Sequence, residues 1–290
     1  MKKTLIALLA LTAFGANAAY IQAHDPHVVA PFSLRCNTEV PIPPPSDDIY
    51  NPDGYYDHAI GKAGAELKST LNSIITMGHK KLSYTPGVWD ALSITDEDPN
   101  NPDNVILMYT GRSQSKASHG GGVDNWNREH TWAKSQGGFN TSSAMGYTDI
   151  HHLRPTDVSI NGERGNYEFL EGGVATKESP EAGNKKNTAL ETFEPRDEVK
   201  GDVARMLFYM ATRYEGSDLK TPDLELAIGF ESGTAKIGDL CTLLRWNEYD
   251  AVDEFEFNRN TKIQKVQGNR NPFVDNPQWV NEIFDSEKCH

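Results

Sequence analysis

The order of hydrophobic patterns along the chain predicts an α+β fold, a single mixed domain in which a strand–loop–strand–helix unit is followed by further helices. Three observations support this. Between residues 126 and 164, two short runs that read as strands flank a polar, Gly- and Ser-rich stretch and lead into a helix opened by Pro155. From 200 to 214, Val203, Met206, Leu207, Met210, Ala211 and Tyr214 recur at three-to-four spacing, the stripe of a core helix. No repeat and no Pro/Ser-rich linker divides the chain after residue 55, so one domain is expected over residues 56–290.

The elements follow in order. Lys2 and Lys3 precede an apolar run from Leu5 to Phe14, and Ala16-Asn17-Ala18 has the small-x-small form of a cleavage site, so residues 1–18 read as a signal peptide. The run is about half the ~20 residues a membrane span needs, and the product is expected to be exported, to the periplasm or the medium, with no membrane attachment. Residues 19–55, rich in Pro, Asp and Asn, read as an extended arm. Leu67, Leu71, Ile74 and Ile75 give a helix over 61–77, with Gly78 as its stop. The acidic cluster between Asp96 and Asp103 lacks the spacing of an EF-hand loop and reads as a solvated turn ahead of a buried strand, Val105 to Tyr109. Residues 111–122 are loop-like. Residues 126–132 read as a strand, 136–145 as a loop, and 147–153 as a second strand. The helix opened by Arg154-Pro155 then carries Asn161. Residues 222–238 have no clear pattern, 240–249 read as a helix, and 277–284 as a final short one.

Composition limits the chemistry. The formal net charge is −13, and it becomes more negative once Lys2 and Lys3 leave with the signal peptide. Such a chain is a poor partner for a polyanion at long range, so any phosphate chemistry requires basic residues gathered locally around a site. Cys36, Cys241 and Cys289 permit one disulfide and a free thiol, or no bridge. No C-x-x-C element favours structural zinc, and no local signature favours a cysteine nucleophile.

The chemistry-bearing residues fall in one window. His130 is a candidate general base, because imidazole titrates near neutrality. Glu129 and Asn161 offer a carboxylate and an amide oxygen suited to a hard cation such as Mg²⁺, with Mn²⁺ or Ca²⁺ as alternatives. Neighbouring strand residues point to opposite faces, so Glu129 and His130 reach one site only at a bulge or a strand end. Asn161 is equally placed to cap a helix before Gly162. Asp149, His151 and His152 are candidates for supporting the base or the metal shell. Alternation along a strand would put Asp149 and His151 on one face and His152 on the other. Arg112, Arg128, Arg164 and Arg270 are candidates for gripping phosphate, and Arg164 is favoured. This set suits phosphodiester hydrolysis.

The runs Trp126-Asn127-Arg128-Glu129-His130, Asp149-Ile150-His151-His152-Leu153-Arg154-Pro155 and Asn161-Gly162-Glu163-Arg164-Gly165-Asn166 together resemble the endonuclease I family of secreted and periplasmic bacterial nucleases. The likeness continues through Lys200-Gly201-Asp202-Val203-Ala204-Arg205-Met206 and Gly268-Asn269-Arg270-Asn271-Pro272-Phe273-Val274-Asp275 and covers most of residues 60–285. The resemblance implies a ββα-metal (His-Me finger) core that cleaves DNA, and often RNA, with Mg²⁺ and little sequence preference. It also implies that Glu129 and Asn161 are metal ligands and that His130 is the catalytic base; Arg164, three residues after Asn161 in the matching motif, is expected to be catalytic through its grip on phosphate. Some members carry a phosphate-contacting Arg between the two strands, whereas residues 136–145 contain none. A monomer is expected, contacting DNA or RNA through backbone phosphates. Two other classes fit the residues taken one by one: a secreted metal-dependent phosphatase or small phosphodiesterase, which would spare plasmid DNA, and a non-catalytic exported binding protein.

Overall fold

The computed structural model describes residues 49–229, 235–284 and 289. The signal peptide, most of the arm and Cys36 lie outside the described residues, as does part of the unpatterned 222–238 stretch. In chain order the elements are α1 (Gly64–Thr76), α2 (Gly87–Thr95), β1 (Glu97–Asp98), β2 (Asn101–Ile106), β3 (Ser113–Ser115), β4 (Trp126–His130), α3 (Lys134–Gly137), β5 (Leu153–Asp157) and α4 (Val158–Arg164). The second half holds β6 (Glu168–Phe169), β7 (Val174–Ala175), β8 (Lys185–Asn187), β9 (Thr192–Glu194), α5 (Lys200–Arg213), β10 (Glu225–Ala227), β11 (Lys236–Asp239), α6 (Leu240–Tyr249), α7 (Glu254–Gln267), α8 (Pro272–Asp275) and α9 (Trp279–Ile283). This is the expected mixture of helices and small sheets.

α5 is the axis of the core. Its apolar stripe is buried as expected, but so is every other residue of the helix. α1, α6 and α8 pack against it, and its charged residues find partners: Arg205 with Glu256 at 2.6 Å, and Asp202 with Arg154 at 2.9 Å. α1 buries Leu67, Leu71, Ile74 and Ile75, the positions its periodicity marked. α6 matches its expected span, and α9 falls within the expected final helix. A disulfide joins Cys241 in α6 to Cys289. At the end of the arm, Tyr50 exchanges backbone hydrogen bonds with the Asn276 side chain.

Around the site the sequence reading needs correcting. The second strand is residues 153–157, not 147–153. It pairs antiparallel with β4 in regular register, from Trp126 opposite Asp157 to His130 opposite Leu153. Pro155 lies within this strand and does not open a helix. Its carbonyl accepts from Met108 N at 2.9 Å, so its backbone polar side faces away from β4, where the missing N–H breaks no ladder bond. α4 starts at Val158, where Asp157 caps it by accepting from Ser159 N at 2.9 Å. Asn161 is therefore inside the helix. The helix ends at Gly165, whose φ of +60° suits glycine and whose N–H bonds to Asn161 O.

Residues 149–152 form a turn, so strand alternation does not apply to Asp149, His151 and His152. Asp149 Oδ1 accepts from His151 N at 3.0 Å and Gln267 Nε2 at 2.8 Å, and Oδ2 accepts from the Tyr209 and Tyr214 hydroxyls at 3.0 and 2.9 Å. The expected solvated turn also differs. Pro99-Asn100 does turn between β1 and β2, but Asp96 is fully buried between Arg154 (2.7 Å) and Arg259 (2.9 Å). β2 ends at Ile106, and the buried Leu107, Met108 and Tyr109 continue beyond it.

His151 and His152 are buried, and each donates from Nε2 to a carbonyl, Asn269 O at 3.3 Å and Gly146 O at 2.7 Å. Burial lowers their pKa values from 6.5 to about 3 and about 4. The unfolded chain therefore takes up protons first as pH falls. The stabilisation from keeping these rings neutral is complete above the unfolded pKa and is lost on the way down to the folded ones, at up to about 1.4 kcal/mol per pH unit per histidine. Urea midpoints of wild type and His151→Gln should converge between about pH 7 and 5. A difference that stays constant with pH would contradict the burial of a neutral imidazole.

Candidate active site

A cleft of about 560 Å³ opens where β4 ends and α4 packs across it, lined among others by Tyr84, Asn127, Arg128, Glu129, His130, Lys134, Asn161 and Arg164. β4 stops at His130. This is the strand end required for adjacent residues to face one site, and both Glu129 and His130 line the cleft.

Glu129 is 2% exposed. Its Oε1 accepts from Tyr109 Oη at 2.7 Å and lies 3.0 Å from Arg164 Nη1. Burial raises its pKa, and Arg164, the Tyr109 hydroxyl and the His130 N–H offset this only in part. Asn161 donates from Nδ2 to Asn127 Oδ1 at 2.6 Å, and its own Oδ1 has no hydrogen-bond partner among the described residues. Asn127 lies two residues before Glu129 on β4, so strand alternation puts both on one face. The Glu129 carboxylate and the Asn161 amide oxygen in this polar cleft fit a hard cation.

His130 Nε2 lies 3.0 Å from the Tyr147 carbonyl, which can only accept, so Nε2 carries the proton. Nδ1 is then a lone pair with no hydrogen bond to a described residue. Burial depresses the ring's pKa well below 6.5, and the charges of His152, Lys134 and Arg128 act in the same direction, against the Tyr147 carbonyl. A neutral imidazole with a free lone pair is the form a general base requires.

The arginine candidates separate. Arg164, expected to grip phosphate, is 1% exposed and turned inward: it donates to His130 O at 3.0 Å and Thr131 O at 2.8 Å besides holding Glu129. Arg270 is buried, paired with Asp275 at 2.5 Å, and does not line the cleft. Arg112 pairs with Asp157 at 2.6 Å, also outside the lining. Arg128 lines the cleft with its guanidinium carbon 3.4 Å from the Tyr84 ring centroid and 3.9 Å from that of Trp89. Asp149 and His151 are absent from the lining, and His152 packs behind His130 with ring centroids 5.5 Å apart. Sequence reasoning missed Tyr109, Asn127, Lys134 and Tyr147. Of these, only Asn127 left a signal, through its i, i+2 relation to Glu129.

Among the described residues one other carboxylate group could hold an ion: Glu215, Asp223 and Glu225, all exposed and outside the cleft lining.

If Arg164 balances Glu129, then Arg164→Met strands a buried carboxylate and should destabilise the fold by about 3–5 kcal/mol, with Glu129→Gln/Arg164→Met recovering part of the loss in urea unfolding. A single variant as stable as wild type would contradict this.

Comparison with known proteins agrees with the likeness in the motifs. The Endonuclease I family model matches residues 63–278. The extracellular ribonuclease of Bacillus subtilis (strain 168) is 54% identical over 242 residues, covering 83% of this chain and 81% of the relative. The extracellular ribonuclease of Bacillus amyloliquefaciens is 55% identical over 232 residues, covering 79% and 78%. A periplasmic deoxyribonuclease of Aeromonas hydrophila is 30% identical over 132 residues, covering 44% and 47%. The chain belongs to the endonuclease I family and is a nuclease.

Proposed function

We propose that this chain is an exported, metal-dependent endonuclease that hydrolyses phosphodiester bonds of RNA and DNA without sequence preference, leaving 5′-phosphate and 3′-hydroxyl ends. The observation that carries the reading is the geometry of His130. Tyr147 ties up Nε2, while Nδ1 stays free in the cleft that is also lined by the Glu129 carboxylate and the Asn161 amide.

In this reading His130 Nδ1 accepts a proton from water as the water attacks phosphorus, and the Tyr147 carbonyl stabilises the imidazolium through its bond to Nε2. Glu129 and Asn161 hold a divalent cation, Mg²⁺ by preference. When bound, it supplies positive charge to the phosphate and the departing 3′ oxygen. Tyr109 and Arg164 hold the Glu129 carboxylate in place, so Arg164 is a positioning residue. Asn127 does the same for the Asn161 amide.

The substrate assignment draws on two kinds of relative. Those at 54–55% identity are named extracellular ribonucleases, and a relative at 30% is named a periplasmic deoxyribonuclease, so RNA stands beside DNA here. Export is supported by the leader-like N-terminus and by the extracellular and periplasmic names of these relatives.

The test is cleavage of ribosomal RNA and supercoiled plasmid with Mg²⁺ or EDTA, by wild type and His130→Ala. Both substrates should be degraded only with metal, and His130→Ala should lose about 10²–10⁴-fold in turnover while still binding nucleic acid. Undiminished turnover in the variant would contradict the base. An intact polymer beside hydrolysis of a small phosphate ester would favour the phosphatase reading.

A further inference from the structure

The three cations of the cleft are held differently. Arg164 is buried and committed to Glu129 and two carbonyls. Arg128 is packed against the Tyr84 and Trp89 rings and anchored through Nη1 to Tyr84 O at 2.5 Å and Thr85 Oγ1 at 3.2 Å, which fixes its plane. Lys134 has no ion pair and no hydrogen bond to a described residue. Its ammonium faces the Tyr147 ring, whose centroid is 5.0 Å from Nζ. Tyr147 is also the residue whose carbonyl orients His130. The ring and the carbonyl of one residue thus hold an uncompensated ammonium and the free base at the same cleft.

An ammonium without a counter-ion at the cleft is available to an arriving anion. The reaction brings such an anion, because water attacking a phosphodiester monoanion adds negative charge to the non-bridging oxygens. The stretch between the two strands offers no arginine for that charge.

We propose that Lys134 is a catalytic residue whose ammonium binds a non-bridging oxygen of the scissile phosphate and neutralises the charge that grows there during attack. This assignment rests on the nuclease reading above. The alternative is that Lys134 only packs on Tyr147, a role that the aliphatic part of the chain would fill.

The test compares full-length wild type, Lys134→Met and Lys134→Arg on RNA and plasmid across a salt series, with thermal unfolding of each. Lys134→Met keeps the packing and removes the charge. It should lose about 10²–10³-fold in kcat, the scale of removing one pre-organised charge-stabilising donor. The slope of log(kcat/KM) against log salt should shrink by about one, as for the loss of a phosphate contact. Lys134→Arg should recover at least a tenth of wild-type kcat. Wild-type kcat and slope in Lys134→Met would overturn the assignment. So would a loss that Arg does not rescue and that comes with a lowered Tm and an unchanged slope. Failure of wild type to cleave either polymer would instead overturn the nuclease reading beneath it.

Discussion

The site depends on one buried guanidinium. Arg164, at the end of α4, reaches across β4 to the Glu129 carboxylate and to the carbonyls of His130 and Thr131. This single side chain joins the helix carrying Asn161 to the strand carrying Glu129 and His130, and it satisfies backbone carbonyls at the point where β4 stops pairing. Glu129 is buried against its own preference, since desolvation raises its pKa. Its position is therefore maintained by Arg164 and Tyr109, not by solvent. An arginine that looks like a phosphate clamp in sequence acts here as a brace, and in the proposed mechanism substrate charge is met by a bound cation and by Lys134.

A second set of buried polar groups fixes β5. Arg154 leaves that strand to meet Asp96 and Asp202, and Arg259 from α7 holds Asp96 together with the carbonyls of Ile150 and Leu153. Asp149 gathers two tyrosines, Gln267 and the His151 N–H immediately before the strand. Partial loss of such networks is costly because each remaining group is then stranded in a low dielectric. The strand pair consequently has little freedom to drift, which suits a site that needs a base and two ligand oxygens in fixed relation.

Periodic apolar elements were legible in the sequence: α1, α5, α6 and the last short helix follow from spacing alone. α7 was not, because the face it buries consists largely of Glu256, Arg259, Asn260 and Gln267 alongside Phe257 and Ile263. Its ends were nevertheless marked, by Asp253 capping Glu256 N and by Gly268 at a φ of +98°. Pro155 favours a helix start by residue type, which shifts the expected second strand ahead of its actual place at residues 153–157. Only the backbone's outward orientation at that residue, a tertiary fact, makes it a strand residue. The proposed base His130 and the proposed metal ligands Glu129 and Asn161 could be picked out by residue type and motif. Tyr109 and Tyr147, which orient two of them, come from distant loops and carry no local pattern.

The acidic chain and a polyanionic substrate are reconciled locally. The cleft is lined by Arg128, Lys134 and Arg164 against one acid, Glu129, in a chain whose formal net charge is −13. A bound divalent cation would shift that balance further toward phosphate. The central claim, that Glu129 and Asn161 hold this ion beside His130, is tested most directly by diffraction from Mn²⁺-soaked crystals at the manganese absorption edge. The account predicts an anomalous peak in contact with the Glu129 carboxylate and the Asn161 side chain. A peak only elsewhere, as at the exposed Glu215, Asp223 and Glu225, with none in the cleft, would contradict it.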